Sequence, residues 1–161
     1  MATKVREELA YDAPAAAVHA MLTNPAFRER VCTRMRVLRG SATVEAQGSA
    51  SVVTIDQVQP AKGLPPFATR LVGDEIRIVQ QETWTSQHHA DVHVTIPGKP
   101  GDMVGTNELV ESGGRTVEIV ELEIRVRVPL VGGRIESLVA DMLRKALAAE
   151  NAEGRAYLSG S

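Results

Sequence analysis

A run of strict alternation late in the chain sets the strongest limit on its fold. Val120, Leu122, Ile124, Val126 and Val128 take every second position, and Glu121, Glu123, Arg125 and Arg127 take those between. Successive side chains of a strand point to opposite faces, so this is a strand with one face buried and one wet. Residues 116–128, extended at ~3.3 Å each, reach roughly 43 Å, well beyond the common strand of about 5 or 6 residues. A sheet of such strands coils strongly and can wrap something of matching length. The chain supplies it next. Ile135, Leu138, Val139, Met142, Leu143, Ala146 and Leu147 recur at helical spacing, with Arg134, Glu136, Asp141, Arg144 and Lys145 on the other side. Carried on to Leu158 through Gly154, this helix has roughly 25 residues and a length of ~37 Å.

The rest of the chain fits around that pair. Val5, Leu9 and Tyr11 share one face of a short first strand, interrupted by Glu7. Asp12-Ala13-Pro14 then offers a capping carboxylate and a first-turn proline for a short helix over 15–22, with Val18, Met21 and Leu22 on one side. Asn24-Pro25 repeats the start signal for a second short helix striped by Phe27, Val31 and Met35. From about Val37 to Val128 the period changes to 2, and turn residues at 48–49, 73–74, 87–88, 97–101 and 112–114 divide the stretch into six strands. One segment, residues 60–73, breaks the hairpin series. Pro66 and Gly73 suit the ends of a turn or two of helix, and Phe67, Leu71 and Val72 form an apolar cluster. The segment is read as a lid or plug over a cavity mouth, against the alternative of a loop packed outside the core.

Composition narrows the function classes. The chain has 161 residues and a net charge of -2, and its only aromatic residues are Tyr11, Phe27, Phe67, Trp84 and Tyr157. So few rings and no positive excess argue against a nucleic-acid groove. The apolar residues are aliphatic and β-branched, with 20 Val and 7 Ile against 12 Leu, which favours strands. One cysteine, Cys32, gives no internal disulfide and no thiolate metal cluster, and is read as a small buried residue. The first residues carry no apolar leader and no stretch approaches the ~18 apolar residues of a membrane span, so a cytoplasmic protein is expected.

The order of strand, two short helices, six antiparallel strands and a long C-terminal amphipathic helix resembles the START-like superfamily of lipid-transfer, pollen-allergen-like and polyketide cyclase proteins. Two stretches carry the likeness. Tyr11-Asp12-Ala13-Pro14 through Val18, Met21-Leu22 and Asn24-Pro25 to Phe27 is similar to the family's opening, and Val128-Pro129-Leu130-Val131-Gly132-Gly133-Arg134-Ile135-Glu136 to the entry of its last helix in an uncharacterised bacterial branch. The resemblance covers residues 1–161 as a single domain and implies an α+β helix-grip fold: a strongly curved antiparallel sheet of about seven strands, β-α-α-β6-α, around the long helix. It further implies a cavity between sheet and helix for a hydrophobic or amphipathic, lipid-like or polyketide-like small molecule. Both stretches are architectural, so function is implied only at the level of the superfamily.

Candidate site residues follow from that cavity. On the strand over 75–86, Ile76, Ile78, Gln80, Glu82 and Trp84 share a face. If that face is inward, Ile78, Gln80, Glu82 and Trp84 line the cavity, with Phe67 and Leu71 from the lid and Leu138 and Met142 from the helix. A Glu82 carboxyl desolvated there would suit a general acid or base in a cyclase- or dehydratase-like enzyme; the alternative is a Glu82 solvated or paired with an arginine, beside a Trp84 that is simply core. No metal site is expected. His89, Asp91 and His93 alternate with Ala90, Val92 and Val94, so they face solvent, and the outer pair is too far apart for one ion. No phosphate loop, dinucleotide fingerprint or nucleophile elbow occurs, so no cofactor is expected. Arg28, Arg30, Arg34, Arg36 and Arg39 cluster around the second helix, either as an approach for anions or as a solvated face. The preferred reading is a carrier of a hydrophobic small molecule with a wide, featureless aliphatic pocket; the alternatives are the Glu82 enzyme and a protein-partner module.

Overall fold

The computed structural model describes residues 2–160. A nine-residue strand β1 (Thr3–Tyr11) leads to two short helices, α1 (Ala15–Leu22) and α2 (Pro25–Arg34). Then come β2 (Arg39–Gln47), β3 (Ala50–Pro60), a short helix α3 (Pro66–Val72), β4 (Glu75–Trp84), β5 (His89–Thr95), β6 (Gly101–Ser112), β7 (Arg115–Val126) and α4 (Gly132–Leu158). All seven strands form one antiparallel sheet in the order β1-β7-β6-β5-β4-β3-β2. This is the α+β helix-grip architecture expected from the sequence, with the 27-residue α4 lying along β1 and β7.

The alternating strand has 12 residues and ends at Val126. Val128 lies beyond it, in a tight turn where Gly132 N donates to the Val128 carbonyl and Leu130 adopts φ 70. Its inward positions begin earlier than the hydrophobic ones. Thr116 and Glu118 are buried on the same face as Val120, Leu122 and Ile124. Close packing of β6 on β7 demands Gly105, where an added Cβ would lie 1.8 Å from the Glu121 carbonyl oxygen.

The helix starts divide. Asn24 Oδ1 accepts from Ala26 N at 2.9 Å ahead of Pro25, as the sequence indicates. Asp12 does not cap α1: its side chain faces Arg115, and the carboxylate at the start of α1 is Glu111, from the end of β6, accepting from Ala15 N at 2.7 Å. A cap delivered by a distant strand leaves no local signal. The arginine cluster around α2 is not one surface either. Arg28 is 3% exposed, Arg30 and Arg34 pair with Glu153 of α4, and Arg39 pairs with Glu75.

Apolar packing is concentrated away from one region. The main core joins Tyr11, Val18, Leu22, Phe27, Trp84 and Leu122 near the C-terminal half of α4, and a smaller cluster joins Val5, Ile124 and Ala140 nearer its start. Gly154 lets α4 settle onto β1, for a Cβ there would lie 2.6 Å from the Tyr11 ring. Among the described residues, no helix is long and apolar enough to cross a membrane.

Candidate functional site

Between the sheet and the N-terminal half of α4 the core is left open, forming a cavity of about 160 Å³. Its walls come from the inward faces of β3 to β7, from α4 through Ile135, Leu138, Val139 and Met142, and from α3. The 60–73 segment does hold a helix, and Leu64, Ala68, Leu71 and Val72 present their side chains to the cavity. Proline fixes its entry at Pro65-Pro66, and Gly73 at φ 77 ends it.

Five of the eight candidate residues meet here: Leu71, Ile78, Gln80, Leu138 and Met142. Three do not. The Phe67 ring lies under the Arg134 guanidinium at 4.2 Å, tying α3 to the first turn of α4 rather than filling the cavity. Trp84 is 1% exposed in the main core, with His19 edge-on to it at 5.2 Å. Glu82 is also 1% exposed and does not reach the lining, engaged by the Arg28 guanidinium at 2.6 Å, by Trp84 Nε1 at 3.0 Å and by the Gln80 amide at 2.5 Å.

The cavity is smaller and less featureless than a wide aliphatic pocket. Gln57 and Gln59 of β3 reach its lining beside Gln80 of β4. These two glutamines lie outside the sequence reading, although the alternation Val53, Ile55, Gln57, Gln59 along one strand face places them inward. Scarce aromatic residues leave room, but long aliphatic side chains from α3 and α4 occupy much of it.

Glu82 belongs to a buried polar cluster between the cavity and the C-terminal half of α4. Arg28 donates through Nη2 to Glu82, through Nη1 to Glu150 at 2.8 Å, and through Nε to the Leu22 carbonyl at 2.7 Å. Glu118 accepts from Asn107 Nδ2 at 2.6 Å and from the Tyr11 hydroxyl at 3.3 Å. One guanidinium thus stands among three buried carboxyls. Burial, reinforced by Glu150, pushes Glu118 well above the usual carboxylate range; burial also pushes Glu150 up to about 7 against the opposing pull of Arg28. Burial and Glu118 raise Tyr11. Burial works against the Arg28 charge, but Glu82, Glu150 and Glu118 outweigh it and hold the guanidinium protonated. The signals for this cluster lie in the periodicities. Glu118 continues the inward face of β7, and Glu150 continues the apolar stripe of α4 one step past Leu147.

The histidine set lies on the outer face of β5. His89 is held by Asp91 and Glu108, which raise its pKa in that order, and His93 Nε2 meets Asp102 at 3.2 Å. Cys32 is buried against Gly40, and burial raises its thiol pKa.

Comparison with known proteins agrees with the architecture. A family model described as a protein of unknown function, DUF2505, matches residues 6–158. Uncharacterised proteins of Mycobacterium tuberculosis and Mycobacterium bovis are 28% identical over 110 residues, covering 64% of this chain and 62% of theirs. The chain therefore spans less than two thirds of the length of those relatives. Among solved structures, norcoclaurine synthase from Thalictrum flavum, in complex with dopamine and hydroxybenzaldehyde, superposes with a TM-score of 0.64 at 14% identity, over 100% of this chain and 89% of that one. The Zhui aromatase/cyclase from Streptomyces sp. R1128 gives 0.58 at 12% identity, over 98% and 96%. These likenesses establish the START-like helix-grip fold. At such identities they establish the fold alone.

Proposed function

Because this chain belongs to the DUF2505 family of proteins of unknown function, we propose its role from the site it carries: binding of a hydrophobic small molecule between the sheet and α4. The observation that carries the reading is the cavity itself. A folded interior is close-packed, and a void lined by Ile, Leu, Val and Met forfeits dispersion contacts that a ligand would restore. Solved structures of the same fold include one crystallised with dopamine and hydroxybenzaldehyde and one that is an aromatase/cyclase, which supports a small-molecule reading. Leu71, Ile78, Gln80, Leu138 and Met142 are the proposed contacts.

An enzymatic role through Glu82 finds no support in its surroundings. Its oxygens are engaged by Arg28, Trp84 and Gln80, and Glu82 is not among the lining residues, so a substrate in the cavity has no direct approach to them. Binding and carriage is the reading the geometry favours.

Native mass spectrometry of the protein purified from its host tests the proposal. The expected result is a co-purifying apolar mass that is absent from Met142→Trp, in which an indole occupies the cavity. A folded wild-type protein with no bound mass, and with no uptake of single-ring aromatic molecules in solution, overturns it.

A further inference from the structure

The cavity has an uneven chemistry that goes beyond greasiness. Its polar side chains in the wall of β3 and β4 are all primary amides, Gln57, Gln59 and Gln80. Strand pairing sets Gln57 opposite Ile78, two residues from Gln80 along the same inward face of β4, so the three amides form a band across two neighbouring strands. Their protein bonds are incomplete. Gln59 Nε2 donates to Gln57 Oε1 at 3.0 Å, and Gln80 Nε2 donates to Glu82 Oε2. Gln80 Oε1, Gln59 Oε1 and Gln57 Nε2 have no protein partner among the described residues. Glu82, itself fixed by Arg28 and Trp84, holds the Gln80 amide by its nitrogen and leaves the carbonyl oxygen free.

The charged groups of the lining are elsewhere. Lys99 is exposed on the turn between β5 and β6, and Asp102 is drawn to His93 and Arg127 on the sheet's outer side. A charged ligand group beside the glutamine band would lie in an apolar enclosure without a counter-ion, which disfavours the charged form. A wholly apolar ligand would leave two amide oxygens and an amide nitrogen without partners once water is displaced. A hydroxyl both donates and accepts, and answers both kinds of open group.

Resting on the reading of the cavity as a ligand site, we infer that its ligand class is an uncharged, single-ring-sized apolar molecule bearing a hydroxyl, which the Gln57–Gln59–Gln80 band recognises. The size follows from the volume: an apolar cavity of roughly 150 Å³ accommodates benzene, and this one has about 160 Å³. Gln80 is the anchor, since its orientation is set by Glu82.

The test uses three probes on one ethylbenzene frame, 4-ethylphenol, ethylbenzene and 4-ethylbenzoate, titrated at neutral pH while the methyl resonances of Met103 and Met142, which line the cavity, are followed by NMR. The expected order is the phenol tightest, with both others weaker by about tenfold or more, as for sites built around a substrate hydroxyl. Gln80→Leu should weaken the phenol by about tenfold and leave ethylbenzene unchanged or tighter. Gln57→Leu, whose native side chain has only the Gln59 bond, asks the same question if the first variant does not fold. Ethylbenzene or 4-ethylbenzoate binding as well as the phenol, or a Gln57→Leu or Gln80→Leu effect equal on all probes, overturns the inference while leaving the cavity a ligand site. No methyl shift with any probe overturns both.

Discussion

Arg28 has almost no contact with water and spends its guanidinium on three partners: the Leu22 carbonyl, Glu150 and Glu82. A buried ion pair is modest evidence for stability, because desolvation offsets its Coulomb attraction; removing one partner is another matter, since it strands the other charge in a low dielectric. Arg28→Met should therefore cost about 3–5 kcal/mol. Arg39→Ala, which breaks an exposed pair with Glu75, should cost less than about 1 kcal/mol. Urea unfolding of both variants checks the contrast, and similar losses would contradict it. In the sequence, Arg28 is hidden among Arg30, Arg34, Arg36 and Arg39 as one more cation. Helical spacing separates it from them: Arg28 follows Phe27 and precedes Cys32 by four, and all three are buried. Grouping by charge rather than by period sends Arg28 to the surface. Glu82 shows the complementary difficulty, because strand alternation correctly assigns its inward face but not which inward neighbour it meets.

At the scale of elements, α4 and β7 were the most legible because each carries one period over many residues, and that period comes from burial itself. α1 and α3 were readable through proline and glycine, which act locally on φ. What was not readable is contact between elements distant in sequence, such as the Glu111 cap on α1 or the Phe67–Arg134 contact between α3 and α4. Gly154 is the sharpest instance. Read locally, it is a defect in a long helix, and replacing it with alanine should stabilise by roughly 1 kcal/mol. In the fold it lies against Tyr11 and Met21, with no room for a methyl group. Overpacking of this kind costs about 1–3 kcal/mol, so Gly154→Ala should lower stability despite its better helix propensity. Thermal unfolding followed by circular dichroism decides the sign. A higher Tm for the variant would show that α4 does not press on β1 at this point.

The whole molecule inherits a pH dependence from its buried carboxyls. A carboxyl that keeps its proton in the fold but loses it in the unfolded chain makes the native state bind more protons, so stability falls as pH rises between the two pKa values. Glu150 does this from the usual carboxylate pKa near 4.5 up to about 7, a difference worth on the order of 3 kcal/mol. Glu118, raised by burial and by Glu150, adds to the decline, and His89, raised by Asp91 and Glu108, adds to it above its ordinary pKa. His19, lowered by burial and by His88, acts the other way up to its unfolded pKa, and Asp56, lowered by Arg77, matters only in more acid solution. The fully buried carboxyl cluster outweighs these partly or largely exposed groups. The urea midpoint should consequently be higher at pH 5 than at pH 8. Glu118→Gln, which retains the shape of the protonated carboxyl between Tyr11 and Asn107 without its ionisation, should flatten the profile and exceed the wild type at pH 8. A wild-type midpoint that rises from pH 5 to pH 8, or a Glu118→Gln variant weaker than wild type at both, would mean that Glu118 and Glu150 share the Arg28 charge without holding a proton. The hydrogen bond from Gln80 to Glu82 joins the cavity to this cluster, so the proton held at Glu118 and Glu150 sets the stability of the frame on which the glutamine band is mounted.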